Sequence, residues 1–303
     1  MDSDIRYVVV IPVLNEAEAI GKVIEELSSI VPVQNIVVID GGSTDGSKDI
    51  VVSKGVKLIN QIGKGKVNAI RTAAEMIKDV DYYVFLDGDY TYPAKYVPKL
   101  LEVAKNNHFD LVIGRRKYIE KGAQSIIYKF GNWFLTKIFN LLYGIKILDV
   151  LSGMYVVRAE VLRELFFESS HFGIESEIVS HVVSTGGRVS EIPIEYRKRL
   201  GQKKKLKIVH GVMIFLDMIK LAWKYNPTFF IFFIGSLMLI PGFILGLYVS
   251  YHYFFTGIKF YVKGIIAILL TLAGFQSLLL AILSLYMKRA ELRILREIRL
   301  EKH

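Results

Sequence analysis

Along the first 115 positions, apolar residues recur in two alternating rhythms. Short runs of β-branched and aromatic residues at Tyr7–Val13, Asn35–Asp40, Val56–Ile59, Tyr82–Leu86 and Leu111–Gly114 predict buried strands. Between them, helical spacing predicts helices over Glu16–Ile30, from about Asp45, over Lys64–Lys78 and from near Pro93. Strands alternating with helices form βαβ units, so the pattern predicts an α/β domain with a doubly wound, mainly parallel sheet. Such sheets collect ligands outside the C-terminal ends of their strands. Here those ends are Pro12–Glu16, Asp40–Asp45, Asp87–Asp89 and Gly114–Arg116.

Further along, the pattern changes. No Asp, Glu, Lys or Arg lies between Lys224 and Lys259, and a second uncharged run extends from Gly264 to Met287. Each supplies the roughly 20 apolar residues that a bilayer-spanning helix needs. Two spans are therefore predicted, near 227–250 and 264–287. The stretches Ser125–Ile145 and Leu206–Tyr225 mix aromatic and aliphatic residues with lysines, as helices lying along a membrane surface do; packing on the sheet is the alternative. The expected organisation is a globular domain over 1–205, a juxtamembrane helix over 206–225, a two-helix hairpin over 226–288 and a basic tail over 289–303.

The chain's 303 residues carry a formal net charge of +10. Its basic residues crowd beside the spans: Lys203, Lys204, Lys205, Lys207, Lys220 and Lys224 before them, and Lys288, Arg289, Arg293, Arg296, Arg299 and Lys302 after. The positive-inside rule then places both termini and the globular domain in the cytoplasm. This placement suits an anionic leaflet rather than nucleic acid as the partner of the charge. Met1-Asp2-Ser3-Asp4 lacks the pattern of a signal peptide. With no cysteine, disulfides, thiol catalysis and thiolate metal sites are excluded. His108, His171, His181 and His210 share no metal-ligand spacing and read as structural. Glu175 and Glu177 read as partners of a helix N-terminus.

The most informative chemistry is Asp87-Gly88-Asp89, at the end of the Tyr82–Leu86 run. Paired carboxylates there suit Mg²⁺ or Mn²⁺, ions usually shared with substrate phosphates; an acidic turn is the plainer alternative. Arg115 and Arg116 offer guanidinium forks that match phosphate oxygens. Lys64, flanked by glycines, either reaches a phosphate or occupies a solvated turn.

Together these residues resemble the family 2 glycosyltransferases of the GT-A fold, in particular the dolichyl-phosphate-mannose and dolichyl-phosphate-glucose synthases. The resemblance rests on Ile11-Pro12-Val13-Leu14-Asn15-Glu16, Val38-Ile39-Asp40-Gly41-Gly42-Ser43-Thr44-Asp45-Gly46, Gly63-Lys64-Gly65, Leu86-Asp87-Gly88-Asp89, Gly114-Arg115-Arg116, Asp149 with Ser152-Gly153, and Glu191-Ile192-Pro193 leading to Arg197 and Arg199. It implies transfer of a hexose from a nucleotide-diphosphate sugar to a dolichyl or polyprenyl phosphate, with inversion. Pro12, Asn15, Glu16, Asp40, Lys64, Asp87, Gly88 and Asp89 would bind the donor. Asp87, Asp89 and Thr91 would handle the metal, while Arg115, Arg116 and Ser152 would take the acceptor phosphate. Asp149 would position the acceptor or a sugar hydroxyl, with a helix cap as the plainer alternative, and Arg199 would stabilise the leaving diphosphate. Ser43 and Asp45 read first as helix caps.

Two departures stand out. Mannose-transferring relatives often carry Gln where this chain has Thr91, a poorer ligand, which tilts the expected donor toward UDP-glucose over GDP-mannose. The late motif is also altered, to Gln202-Lys203-Lys204-Lys205. A processive polysaccharide synthase is the nearest rival, but the chain lacks a QxxRW motif. A transporter would need charges inside its spans. A non-catalytic, membrane-tethered scaffold is the non-enzyme alternative. Nothing in the pattern specifies or forbids a homo-oligomer.

Overall fold

The computed structural model describes residues 5–167, 173–201 and 208–301. His171, Gln202, Lys203, Lys204, Lys205, Leu206, Lys207 and Lys302 lie outside them, as does the side chain of His210. The chain divides into two compact units, Met1–Leu221 and Ala222–His303.

The first unit is built on seven strands: β1 (Tyr7–Val13), β2 (Ile36–Asp40), β3 (Lys57–Asn60), β4 (Tyr82–Phe85), β5 (Leu111–Ile119), β6 (Tyr155–Arg158) and β7 (Val189–Tyr196). They form one sheet in the order β3-β2-β1-β4-β6-β5-β7. β1, β2, β3 and β4 run parallel, and so do β5 and β7. β6 lies between β4 and β5 and is antiparallel to both. The sheet is therefore mainly parallel, as the alternating pattern predicted, with β6 reversed.

Successive β1 residues pack into different cores, Val8 and Val10 on one face and Val9, Ile11 and Val13 on the other. This is the two-residue period of a strand buried on both sides. One face carries α1 (Ala17–Ser28), α2 (Ser47–Ser53) and α4 (Val97–Asn106); the other carries α3 (Lys66–Met76), α5 (Ile126–Tyr143), α6 (Ala159–Glu164), α7 (Ile174–Ser184) and α8 (Ile208–Tyr225). The helix predicted from Lys64 starts two residues later because Gly63 and Gly65 both have φ +86, a left-handed conformation that glycine alone adopts without penalty.

The two helices read as interfacial pack on the sheet and also leave apolar residues exposed. α5 buries Leu135, Phe139 and Leu142 against the sheet and leaves Ile126, Ile127, Phe130, Trp133, Phe134 and Leu141 exposed. α8 buries Ile214 and Met218 in the same core and exposes Val212, Met213 and Leu216.

In the second unit, α9 (Pro227–Tyr251) and α10 (Tyr261–Glu301) are joined through a π-helical turn at His252–Thr256. Both are long and apolar enough to cross a membrane. They pack through small residues: a Cβ on Gly274 would run into the Leu239 backbone, and one on Gly242 into Thr271. Ser277 Oγ donates to the Ile231 carbonyl at 2.9 Å, and the Thr228 and Ser284 hydroxyls pair at 2.6 Å. Close backbone approach and interhelical hydrogen bonds are how helices associate where lipid removes the hydrophobic drive.

Candidate active site

The β1 and β2 ends are knit into one platform. Asn15 takes a left-handed φ of +54, which turns its amide onto Ser43 Oγ at 2.9 Å while its side-chain oxygen accepts from Thr44 N at 2.8 Å. Glu16 N donates to Ser47 Oγ, and Ala17 N donates to Asp45 Oδ2, so Asp45 serves the start of α1 from the neighbouring loop. Pro12 lies opposite Ile39 in the β1–β2 register.

Asp40 is buried and committed to its own loop. It accepts from Gly42 N at 2.8 Å and Ser43 N at 3.0 Å, and pairs with Lys48 at 3.3 Å. Burial works against its charged form. The bonds from Ser43, Gly42 and Lys48 outweigh burial and hold the carboxyl below the usual range. The loop's own donors thus already engage the oxygens expected to meet a base.

At the end of β4, Asp87 and Asp89 each hold a cation from a different direction. Arg199 Nη1 lies 3.0 Å from Asp89 Oδ2, and its Nη2 pairs with Glu16 Oε1. Lys66 Nζ lies 2.6 Å from Asp87 Oδ1 and 2.7 Å from Glu175 Oε1. Thr91 donates its hydroxyl and its amide to Asp89 Oδ1, at 2.5 and 3.1 Å, and is itself buried, so this predicted metal ligand is engaged with a carboxylate. Burial, and next the charge of Asp87, raise the Asp89 pKa above the ordinary carboxylate value. Tyr90, which follows Asp89, has φ +68, with the Arg197 guanidinium 4.8 Å from its ring centre and Arg197 forked onto Glu26. A side chain held in so sparsely populated a conformation marks a loop fixed by its surroundings. Arg197 N and Leu200 N close over this loop, donating to the carbonyls of Thr91 and Asp89. Gly153 packs against Asp87 so tightly that a Cβ there would collide with the carboxylate. Its amide donates to Tyr92 Oη at 2.7 Å.

At the end of β5 the paired arginines separate. Consecutive strand residues point to opposite faces. Arg116 is buried against Asp149: its backbone N, Nε and Nη2 donate at 2.9, 2.8 and 2.6 Å, and Asn132 Nδ2 adds a bond at 2.9 Å. Arg116 and Asp149, both assigned above to the acceptor, are therefore bonded to each other. Glu191, of the Glu191-Ile192-Pro193 motif, accepts from the amides of Leu148 and Asp149 at 2.9 to 3.0 Å and fixes the same loop. Arg115 is partly exposed, and its Nε is buried with no bonding partner. Ser152, also assigned to the acceptor, is fully buried and donates to the Gly114 carbonyl at 2.5 Å. Ser152→Ala should thus lower stability by about 1 kcal/mol and leave the KM for any acceptor unchanged. Thermal melts and initial rates check this.

Lys64 is exposed, and it is Lys66 that reaches Asp87. The motif pointed to the lysine between the glycines; the left-handed Gly65 turns the next one inward. Glu175, read as a helix-terminal residue, does sit in the first turn of α7 but pairs with Lys66 across the site. Glu16, Asp87, Asp89 and Glu175 against Lys66 and Arg199 leave a formal charge of −2 in this cluster. An oxygen-only donor set of that charge fits a hard divalent cation. Among the described residues no three His, Cys, Asp or Glu converge as a complete cage. Such an ion would therefore complete its shell with substrate phosphates and water.

Comparison with known proteins bears on the family and the fold. Residues 8–166 match glycosyl transferase family 2. The chain is 32% identical over 276 residues to glycosyltransferase AglJ of Haloferax volcanii, covering 90% of each. It is 31% identical over 216 residues to the dolichyl-phosphate hexose transferase of the same organism, covering 71% of this chain and 92% of that one. Glucosyl-3-phosphoglycerate synthase from Mycobacterium tuberculosis, solved with Mn²⁺, UDP-glucose and phosphoglyceric acid, superposes with a TM-score of 0.59 at 21% identity, covering 73% of this chain and 80% of that one. The fold is of the GT-A type, a nucleotide-sugar transferase architecture. The chain belongs to glycosyl transferase family 2.

Proposed function

We propose that this glycosyltransferase moves a hexose, with UDP-glucose as the expected donor, onto the phosphate of a dolichyl or other polyprenyl lipid at the cytoplasmic membrane face. The observation that carries the reading is the carboxylate pair Asp87 and Asp89, held at the C-terminal edge of β4 with Lys66 and Arg199 as resident cations. The names of the two Haloferax relatives support the reaction class, and that of the second supports the lipid acceptor.

A phosphate monoester has its second pKa near ~6, so the acceptor is mostly dianionic at neutral pH and needs no general base. Its oxygen attacks the anomeric carbon, the bond to the nucleoside diphosphate breaks, and the electron pair departs with that group. The configuration inverts. Asp87 and Asp89 would hold Mg²⁺ or Mn²⁺, which supplies Lewis-acid stabilisation to the departing diphosphate. Arg199 adds charge-assisted hydrogen bonds there. Arg115, with its unpartnered Nε, grips the acceptor phosphate, and Arg116 acts through Asp149 to fix the neighbouring loop.

A polyprenyl tail is held in the bilayer by about 0.8 kcal/mol per buried CH₂, so its phosphate must be met at the surface. The exposed apolar face of α5, flanked by Lys129 and Lys137, suits contact with that surface. The helices α9 and α10 would cross the membrane, with both termini cytoplasmic.

Membranes containing the protein should be incubated in turn with labelled UDP-glucose, GDP-mannose and UDP-N-acetylglucosamine. Chloroform-extractable label from UDP-glucose is the expected result. Label from another donor corrects the sugar, and none from any donor returns the chain to the scaffold reading.

A further inference from the structure

Lys66 and Glu175 belong to none of the motifs that define the site, yet they form an ion pair beside Asp87. Lys66 opens α3 immediately after the left-handed Gly65. Glu175 lies in the first turn of α7, where the helix dipole favours a negative charge. The ammonium bridges Asp87 Oδ1 and Glu175 Oε1 at 2.6 and 2.7 Å. The other face of Asp87 lies against Gly153, the position where a Cβ would strike Oδ2.

We propose that Lys66, anchored by Glu175, is a positioning residue that holds Asp87 Oδ1 while Gly153 packs on the opposite side, and so fixes the carboxylate beside the donor and its metal. The inference rests on the reading given under Proposed function. Asp87 sits at a strand end on a glycine linker, and its charge opposes that of Asp89. Left alone, the two carboxylates would swing apart, or share a cation with no fixed direction. Lys66 cancels part of the repulsion and sets the direction. The same ammonium competes with a divalent ion for Asp87. Lys66 therefore lowers metal affinity while improving the geometry of transfer. A side chain that merely filled space would do neither.

The test uses the full chain in detergent or lipid vesicles. Binding of Mn²⁺ is titrated by water-proton relaxation in the presence of UDP, and transfer kinetics are measured separately. Lys66→Met should bind Mn²⁺ at least threefold more tightly than the parent while kcat falls tenfold or more. Lys66→Arg, which keeps the charge, should restore most of both values. Glu175→Gln, which removes a negative charge and leaves Lys66 tied to Asp87 alone, should bind Mn²⁺ more weakly than the parent, and it serves if Lys66→Met does not fold. Unchanged Mn²⁺ binding in both variants overturns the inference. So does weaker binding together with lower kcat in Lys66→Met, the mark of a general structural defect. A parent enzyme that binds Mn²⁺ but glucosylates no lipid phosphate refutes the proposed substrate and leaves the binding test of Lys66 intact. A parent that binds no Mn²⁺ overturns both the metal assignment and this inference.

Discussion

Replacing Asp89 with alanine is expected to lower kcat by on the order of a thousandfold or more, with a melting temperature close to the parent's. The rate effect follows from what Asp89 organises: it holds Arg199 at 3.0 Å and would hold the divalent cation opposite the leaving diphosphate. Losing several kcal/mol of leaving-group stabilisation, at about 1.4 kcal/mol per decade, gives that magnitude. The small stability effect follows from the direction of its pKa. Burial and the charge of Asp87 penalise the Asp89 carboxylate in the fold, so removing it relieves repulsion. Arg199 keeps Glu16 as its partner. A carboxylate kept where its surroundings penalise its charge is being kept for a task other than stability. Transfer rates with labelled donor, beside a thermal melt, check both halves. Activity within tenfold of the parent would remove Asp89 from the chemistry.

The parts of this fold that repeat a simple rhythm were legible in the sequence. β1, β2 and β4 are runs buried on both faces, and their ends carry the acidic and glycine-rich loops where parallel sheets collect ligands. The two apolar helices were plain from length and lack of charge. What escaped was set by tertiary contact. β6 is a four-residue strand whose antiparallel place between β4 and β5 depends on the long α5 crossover, and its local pattern does not announce it. The switch from Lys64 to Lys66 turned on the φ of a glycine. The twin arginines look alike in sequence, yet strand alternation sends one to a buried aspartate and leaves the other partly exposed. Motif residues such as Asp40, Ser152 and Asp149 hold the loops that shape the site, and sequence alone does not separate that role from ligand contact.

Asp149 makes the contrast with Asp89 measurable. Both are buried, at 2% and 8% exposure, yet their pKa values move in opposite directions. Burial also penalises the Asp149 charge, but Arg116, through its charge and its side-chain and backbone bonds, and Asn132 overcome that penalty and depress the value. Asp149→Ala leaves the Arg116 guanidinium buried without its counter-ion, which should destabilise the fold by about 3–5 kcal/mol. The double variant Arg116→Met with Asp149→Leu should recover a large part of that loss, since no charge is left stranded. The pH dependence has a definite sign. Because the folded-state pKa lies below the ordinary value near ~3.9, the contribution of Asp149 is fully present above that range and is lost as pH falls through the depressed value. Parent and Asp149→Ala should therefore differ most in melting temperature at neutral pH and converge below about pH 4. If the double variant melts no higher than Asp149→Ala and the acceptor KM rises instead, Arg116 meets the acceptor directly and the pairing seen here is not its working state.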